Sequence, residues 1–224
     1  AFISRQFLRS HWHLDFEAFR DSPEEAELRQ RLDRWSQRAD LKERSAVPAF
    51  LDEFFHHTWG YLQSGQAGAE EAFSLYPEFA VNGFGARGSA DAALGWFRSG
   101  AEPHIPQVLC EFKDIRSGLD VPQRRKNDNR SPVKQGLDYL AAARRGLFGN
   151  EPIVPTWAII SDMNEFRLYW ADRGDRQFVR FVIRPGDLLQ GRSLLAQTED
   201  GRFDRFLFAR LFHRDVLTIQ GESG

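Results

Sequence analysis

Residues 107–114 read QVLCEFKD, an apolar run that carries a glutamate and a lysine two positions apart. Side chains of a strand alternate between its faces, so Glu111 and Lys113 point one way while Cys110 and Phe112 point the other. An exposed face would accommodate the two charges at little cost. A shared chemical site would use them, and the flanking residues bear on that choice.

Upstream, residues 89–97 (SADAALGWF) are also strand-like, and residues 98–106 (RSGAEPHIP) are turn material, which predicts a hairpin. The hairpin brings Asp91 within reach of Glu111. Two carboxylates and the adjacent Phe112 carbonyl make the oxygen-rich set that a hard divalent cation takes, Mg²⁺ or in its place Mn²⁺. Lys113 beside such an ion can orient an attacking water and neutralise charge building on a phosphate oxygen. A bound cation would also balance charges in a partly buried setting.

Downstream, residues 114–134 hold Arg116, Arg124, Arg125, Lys126, Arg130 and Lys134 among Asn, Ser, Gly and Pro, which describes a basic loop. It is either a solvated linker or a surface for phosphates. Ser131-Pro132 then opens a helix that closes near Gly146. Three strand-like runs follow, TWAIISD, EFRLYWADR and QFVRFVIR, the last two forming a hairpin across Gly174-Asp175. RFDRFLFARLF near the end is helical.

On the N-terminal side, Ser22-Pro23-Glu24-Glu25 starts a helix with a serine cap, an early proline and acids in the first turn. Leu28, Leu32 and Trp35 carry it to about Asp40. A second amphipathic helix, SAVPAFLDEFFHHTWGY, has Phe50, Leu51, Phe54, Phe55 and Trp59 on its apolar side, with Pro48 expected in the first turn. The glycine-rich stretch over residues 81–88 is expected to interrupt regular structure. His56 and His57 lie about 100° apart on a helix and are poorly placed to share a metal; His104 falls in a turn.

The fold class is therefore α/β, a central mixed sheet flanked by helices. It divides into a helical extension over residues 1–42, a core over 43–184 and a helical connector over 185–224. With 224 residues the chain is long enough for one sizeable core. The formal net charge of −2 excludes a global basic field that would draw it to nucleic acid. Cys110 is the only cysteine, which excludes an internal disulfide or a cysteine-rich zinc site and points to a reducing, cytoplasmic setting. No apolar run approaches the roughly 18–20 residues of a membrane span, and the N-terminus lacks the h-region and cleavage site of a signal peptide.

Asp91 and the Glu111-Phe112-Lys113 run resemble the Asp…Glu-x-Lys motif of the PD-(D/E)xK nuclease superfamily, with Ala90 where the proline of the name would stand. The order helix, hairpin, helix, strand agrees over roughly residues 43–184. Many members carry a glutamine with a tyrosine four residues on in the helix after the Glu-x-Lys strand, and Gln135 and Tyr139 stand so here. The resemblance implies a restriction-endonuclease-like core in which Asp91, Glu111, the Phe112 carbonyl and a preceding glutamate hold Mg²⁺. Glu43 fits that glutamate better than Glu53. Lys113 would then serve the water, and Gln135 would orient Lys113 or a phosphate. The basic loop would hold the backbone of double-stranded DNA without reading bases.

Within the superfamily, GLDYLAAAR, TWAIISDMNEFRLYW and RFDRFLFARLFHRDVL are most similar to nuclease domains of Type IIG restriction-modification enzymes, which serve in defence against phage. That similarity implies methyltransferase and target-recognition domains outside this chain, since no S-adenosylmethionine-binding motif occurs in it. Cutting both strands usually takes two such sites, which implies a transient dimer. A non-catalytic module that docks DNA or a partner protein, and a repair or junction nuclease of the same superfamily, are the alternatives. The co-occurrence of Asp91, Glu111 and Lys113 argues against a pure scaffold.

Overall fold

The structure, a computed structural model, describes residues 1–38, 43–67, 72–83, 86–98, 106–123, 129–146, 155–185 and 192–219. Four helices come first: α1 (Arg5–His11), α2 (His13–Phe19), α3 (Pro23–Ser36) and α4 (Glu43–Phe50). They precede β1 (Phe73–Gly83), β2 (Ala86–Phe97) and β3 (Pro106–Phe112). After α5 (Pro132–Gly146) come β4 (Trp157–Ser161), β5 (Glu165–Trp170) and β6 (Phe178–Val182), and the chain ends in α6 (Glu199–Leu211) and α7 (Arg214–Leu217). The six strands form one mixed sheet in sequence order. Only β3 and β4 are parallel, and α5 makes the crossover that a parallel pair requires. No helix among the described residues is long and apolar enough to cross a membrane.

Local chemistry accounts for most of these boundaries. Ser22 caps α3, its hydroxyl accepting from the Glu25 amide at 3.2 Å, with Pro23 at the first helical position. Asp114 does the same for α4 from a distance in sequence: its carboxylate accepts from the Glu43 amide at 2.7 Å and so ties α4 to the end of β3. Pro48 lies inside α4, not in its first turn, because the helix begins at Glu43 rather than Ser45. Beyond Phe50 the helix widens into a π-helix over Leu51–His56, with the Trp59 amide reaching back to the Phe54 carbonyl at 2.9 Å.

The glycine-rich stretch is not a break in regular structure. β1 runs through residues 81–83 and β2 takes up residues 86–88, paired across a long hairpin. The strand tolerates Pro77 because β1 is an edge strand, where a missing amide costs no ladder bond. Glu78, next to it, takes a positive φ of 52°.

The sheet separates two layers. One face, through Leu94, Val108, Cys110, Phe112, Ile159 and Phe166, packs against the N-terminal helices and α6 in one continuous core. Its centre is aromatic, with Phe50, Phe54, Phe55, Trp59, Phe166 and Phe208 meeting largely edge to face. The segments 1–38 and 192–219 thus bury their apolar stripes in the same core as the sheet. Truncating one of these rings should cost about 3–5 kcal/mol.

Among the described residues, α5 is the one helix that covers the opposite face, packing Tyr139, Ala142 and Ala143 on β2 and β3 and Val133 and Leu140 on β4 and β5. It approaches closely at two glycines. A Cβ on Gly136 would lie 2.8 Å from Ile160 Cδ1, and one on Gly88 would lie 2.6 Å from the Tyr139 ring. Either position occupied by alanine would push α5 off the sheet.

Candidate active site

β3 divides its side chains as alternation requires. Cys110 and Phe112 enter the aromatic core, and Glu111 turns to the α5 face, where a Cβ on Gly136 would be only 3.5 Å from its own. Lys113 follows the last residue of β3 and is fixed by its amide, which donates to the Ser161 carbonyl at 2.9 Å. The antiparallel register pairs Ala92 with Cys110, so Asp91 comes opposite Glu111 one step further along. Asp91 accepts the Phe112 amide on Oδ2 at 2.5 Å. A cross-strand pair of this kind lies roughly 4.5–5.5 Å apart at Cβ.

Glu111 and Lys113 are 2% and 1% exposed. Lys113 Nζ donates to Glu111 Oε1 and, at 2.7 Å, to the Phe112 carbonyl. The ammonium thus sits on two of the four oxygen groups expected to hold a cation, occupying a position whose chemistry suits positive charge. Glu111 Oε2 is buried without a hydrogen-bond partner, an arrangement that costs on the order of 1–3 kcal/mol or more for a charged group. Burial, followed by the negative charge of Asp91, pushes the Glu111 carboxyl up to about 8 against the pull of Lys113, and Glu43 adds to the upward push. The donor set fits a divalent cation: hard oxygens, an orphaned carboxylate oxygen and excess negative charge. No group of three or more histidine, cysteine, aspartate or glutamate side chains that could hold a metal ion occurs among the described residues; the third donor here is a backbone carbonyl.

The remaining expected residues separate. Glu43 stands at the start of α4, near enough for its charge to act on Glu111. Glu53 faces away and pairs with Arg31 at 2.7 Å. Gln135 and Tyr139 do share a face of α5, joined at 3.2 Å from the Gln135 amide nitrogen to the Tyr139 hydroxyl. Arg116 takes a positive φ of 59° and sends its guanidinium to the Ser36 carbonyl at the end of α3. Arg130 and Lys134 both pair with Asp138, at 3.1 and 2.6 Å. Arg124, Arg125 and Lys126, like His104, lie outside the described residues. His56 bonds the Tyr61 carbonyl and His57 lies near Asp52, both away from Glu111.

One charged group on the same face was not anticipated. The registers align Glu111 of β3 with Ile160 of β4 and Arg167 of β5, so Arg167 occupies the row of the sheet that holds Glu111. Its signal in sequence is the one that marked Glu111, a charge alternating with apolar neighbours in EFRLYW. No protein-family model, curated protein or solved structure matches this chain.

Proposed function

We propose that the chain is a divalent-cation-dependent nuclease module that hydrolyses DNA phosphodiester bonds. Its core would be restriction-endonuclease-like, and it would serve as the cleavage part of a restriction-modification system whose methyltransferase and target-recognition domains lie elsewhere. The reading is carried by the orphaned, buried Oε2 of Glu111, a residue that stands across the strand from Asp91 and bonds Lys113 through its other oxygen. A structural ion pair has no reason to leave one carboxylate oxygen unpartnered while a second carboxylate raises its proton affinity.

Asp91 and Glu111 with the Phe112 carbonyl would hold the cation, with Glu43 a further carboxylate whose charge reaches Glu111. The ion would supply positive charge where negative charge builds on the phosphate. Lys113 carries three N–H donors at the same point, enough to hold a water and a phosphate oxygen together once its bond to Glu111 is given up. Asp91 also fixes the Glu111–Phe112 peptide through the Phe112 amide, and the Phe112 carbonyl lies in the next peptide plane, whose Lys113 amide is held by the Ser161 carbonyl. Gln135 and Tyr139 would line the α5 side of the scissile phosphate.

The near-complete burial of Glu111 and Lys113 also suits a silent docking module in which the pair only neutralises itself. Nicking of supercoiled plasmid in Mg²⁺ or Mn²⁺ separates the two. Cleavage by the native chain, reduced roughly a hundredfold or more in both Asp91→Ala and Lys113→Ala, supports the nuclease. Cleavage that persists in both variants belongs to a contaminant and overturns the assignment of nicking to these residues, and absence of cleavage from the native chain favours the docking module.

A further inference from the structure

On the flank of α5 away from Gln135, a cleft of about 400 Å³ opens between the start of that helix and the β5–β6 hairpin. Arg167 forms its floor and is held from three sides. Its Nε donates to Glu165 at 2.5 Å, its guanidinium lies over the Phe178 ring at 4.7 Å, and Nη1 reaches the Tyr169 hydroxyl at 3.4 Å. What remains is the outward fork of Nη1 and Nη2. Both ends donate to Asp120, at 2.7 Å each. The two partners are unequal: the Arg167 side chain is 8% exposed and that of Asp120 71%. Arg176 and Lys134, the latter paired with Asp138, add positive charge to the rim, beside one further lining carboxylate, Asp175.

A buried, pre-oriented guanidinium fork recognises a carboxylate and a phosphate by the same pair of parallel hydrogen bonds. Asp120 reaches the fork from the basic loop and is mostly in water, so exchanging it for another anion requires no repacking of the core. Glu165 stays behind to balance Arg167. Arg167 stands two strand spacings from Glu111 along one row of the sheet, about 10 Å, with α5 packed at Gly136 over the intervening Ile160, so a strand that reaches both passes around the start of α5.

We propose that this cleft is a second phosphate-binding subsite, closed by Asp120 in the free protein and filled by a backbone phosphate flanking the bond to be cut. The proposal rests on the nuclease reading for the identity of its ligand. Arg167 supplies the two-pronged contact, and Lys134 and Arg176 supply screening charge. The contact positions the strand and reads no bases.

The test measures binding of a short DNA duplex in EDTA, where no hydrolysis occurs, as a function of salt. Asp120→Asn should tighten binding about fivefold at low salt and leave the log–log slope of the salt dependence nearly unchanged, since the native complex already makes the same phosphate contact. Arg176→Gln should weaken it. Asp120 and Arg176 are both exposed, so these variants carry the test even if replacing Arg167 disturbs the sheet. Asp172→Asn is the control, since Asp172 is a similarly exposed acid paired with an arginine, Arg144, outside the cleft. Unchanged affinity in Asp120→Asn overturns the subsite, as does an equal gain in Asp172→Asn, which would mark a net-charge effect. A thermal shift of Asp120→Asn by inorganic phosphate without a change in DNA affinity overturns the assignment to the backbone. Tighter binding by Asp120→Asn in a protein that never nicks plasmid would keep the subsite and discard hydrolysis; nicking without that gain would do the reverse.

Discussion

Glu25 in α3 and Glu111 in β3 are both buried beside cations, at 5% and 2% exposure, and their surroundings treat them in opposite ways. Glu25 accepts from Arg202 at 2.6 Å, from Arg205 at 2.8 Å and from the Asp21 amide at 2.8 Å. Its burial works against ionisation, but the hydrogen bonds from the two arginines outweigh it and bring the carboxyl down to about 2. Glu111 has one cation, two carboxylates nearby and one oxygen with no partner, and its carboxyl goes up to about 8. A saturated carboxylate binds α3 to α6. An underserved one, held in place by the sheet, is what the proposed cation would complete.

The largest difference should appear when each carboxylate is neutralised. Glu25→Gln leaves Arg205, 1% exposed, without its counter-charge and should cost on the order of 3 kcal/mol in urea unfolding. Exchanging the Glu111–Lys113 pair together for Leu and Met should change stability by less than about 1 kcal/mol, or raise it, because no buried charge is then left alone. A cost as large as that of Glu25→Gln would make the Glu111 pair a structural bridge and remove the contrast.

Smaller effects should distinguish the two by pH. A carboxyl lowered on folding adds stability that is present above its unfolded value and lost as pH falls, so Glu25 contributes an acid limb running from about 4.5 down to about 2. Glu111 has the opposite sign. Its folded state holds the proton more tightly than the unfolded one, so its contribution falls away as pH rises from about 4.5 to about 8. Unfolding free energy measured across pH should show both limbs. Glu25→Gln should flatten only the acid one and Glu111→Gln only the alkaline one.

Much of this was legible in the chain. Alternation in QVLCEFKD put Glu111 and Lys113 on one face and Cys110 and Phe112 in the core, and the capping residues of α3 marked its start. β1 was hidden by Pro77 and by glycines that read as breaks, since nothing local tells an edge strand from a loop when its ladder partner lies beyond a turn. Pro48 was misplaced because the cap of α4 comes from Asp114, a residue 71 positions away. Arg167 carried the same alternation signal as Glu111. Its partner Asp120 lies 47 residues off, so only the folded sheet brings the fork and its anion together. Glu43 was preferred to Glu53 from its setting in the chain, and what only the fold adds is that Arg31 of α3 pairs with Glu53.

The contrast between the two glutamates depends most on whether a cation completes Glu111. Calorimetric titration of Mn²⁺ into the native chain and Glu111→Gln, with Glu25→Gln as reference, addresses it without requiring catalysis. One bound ion per chain, kept in Glu25→Gln if that variant stays folded and lost in Glu111→Gln, is the expected result. No binding to the native chain, or binding undiminished in Glu111→Gln, would contradict it and return Glu111 and Lys113 to the role of a buried pair.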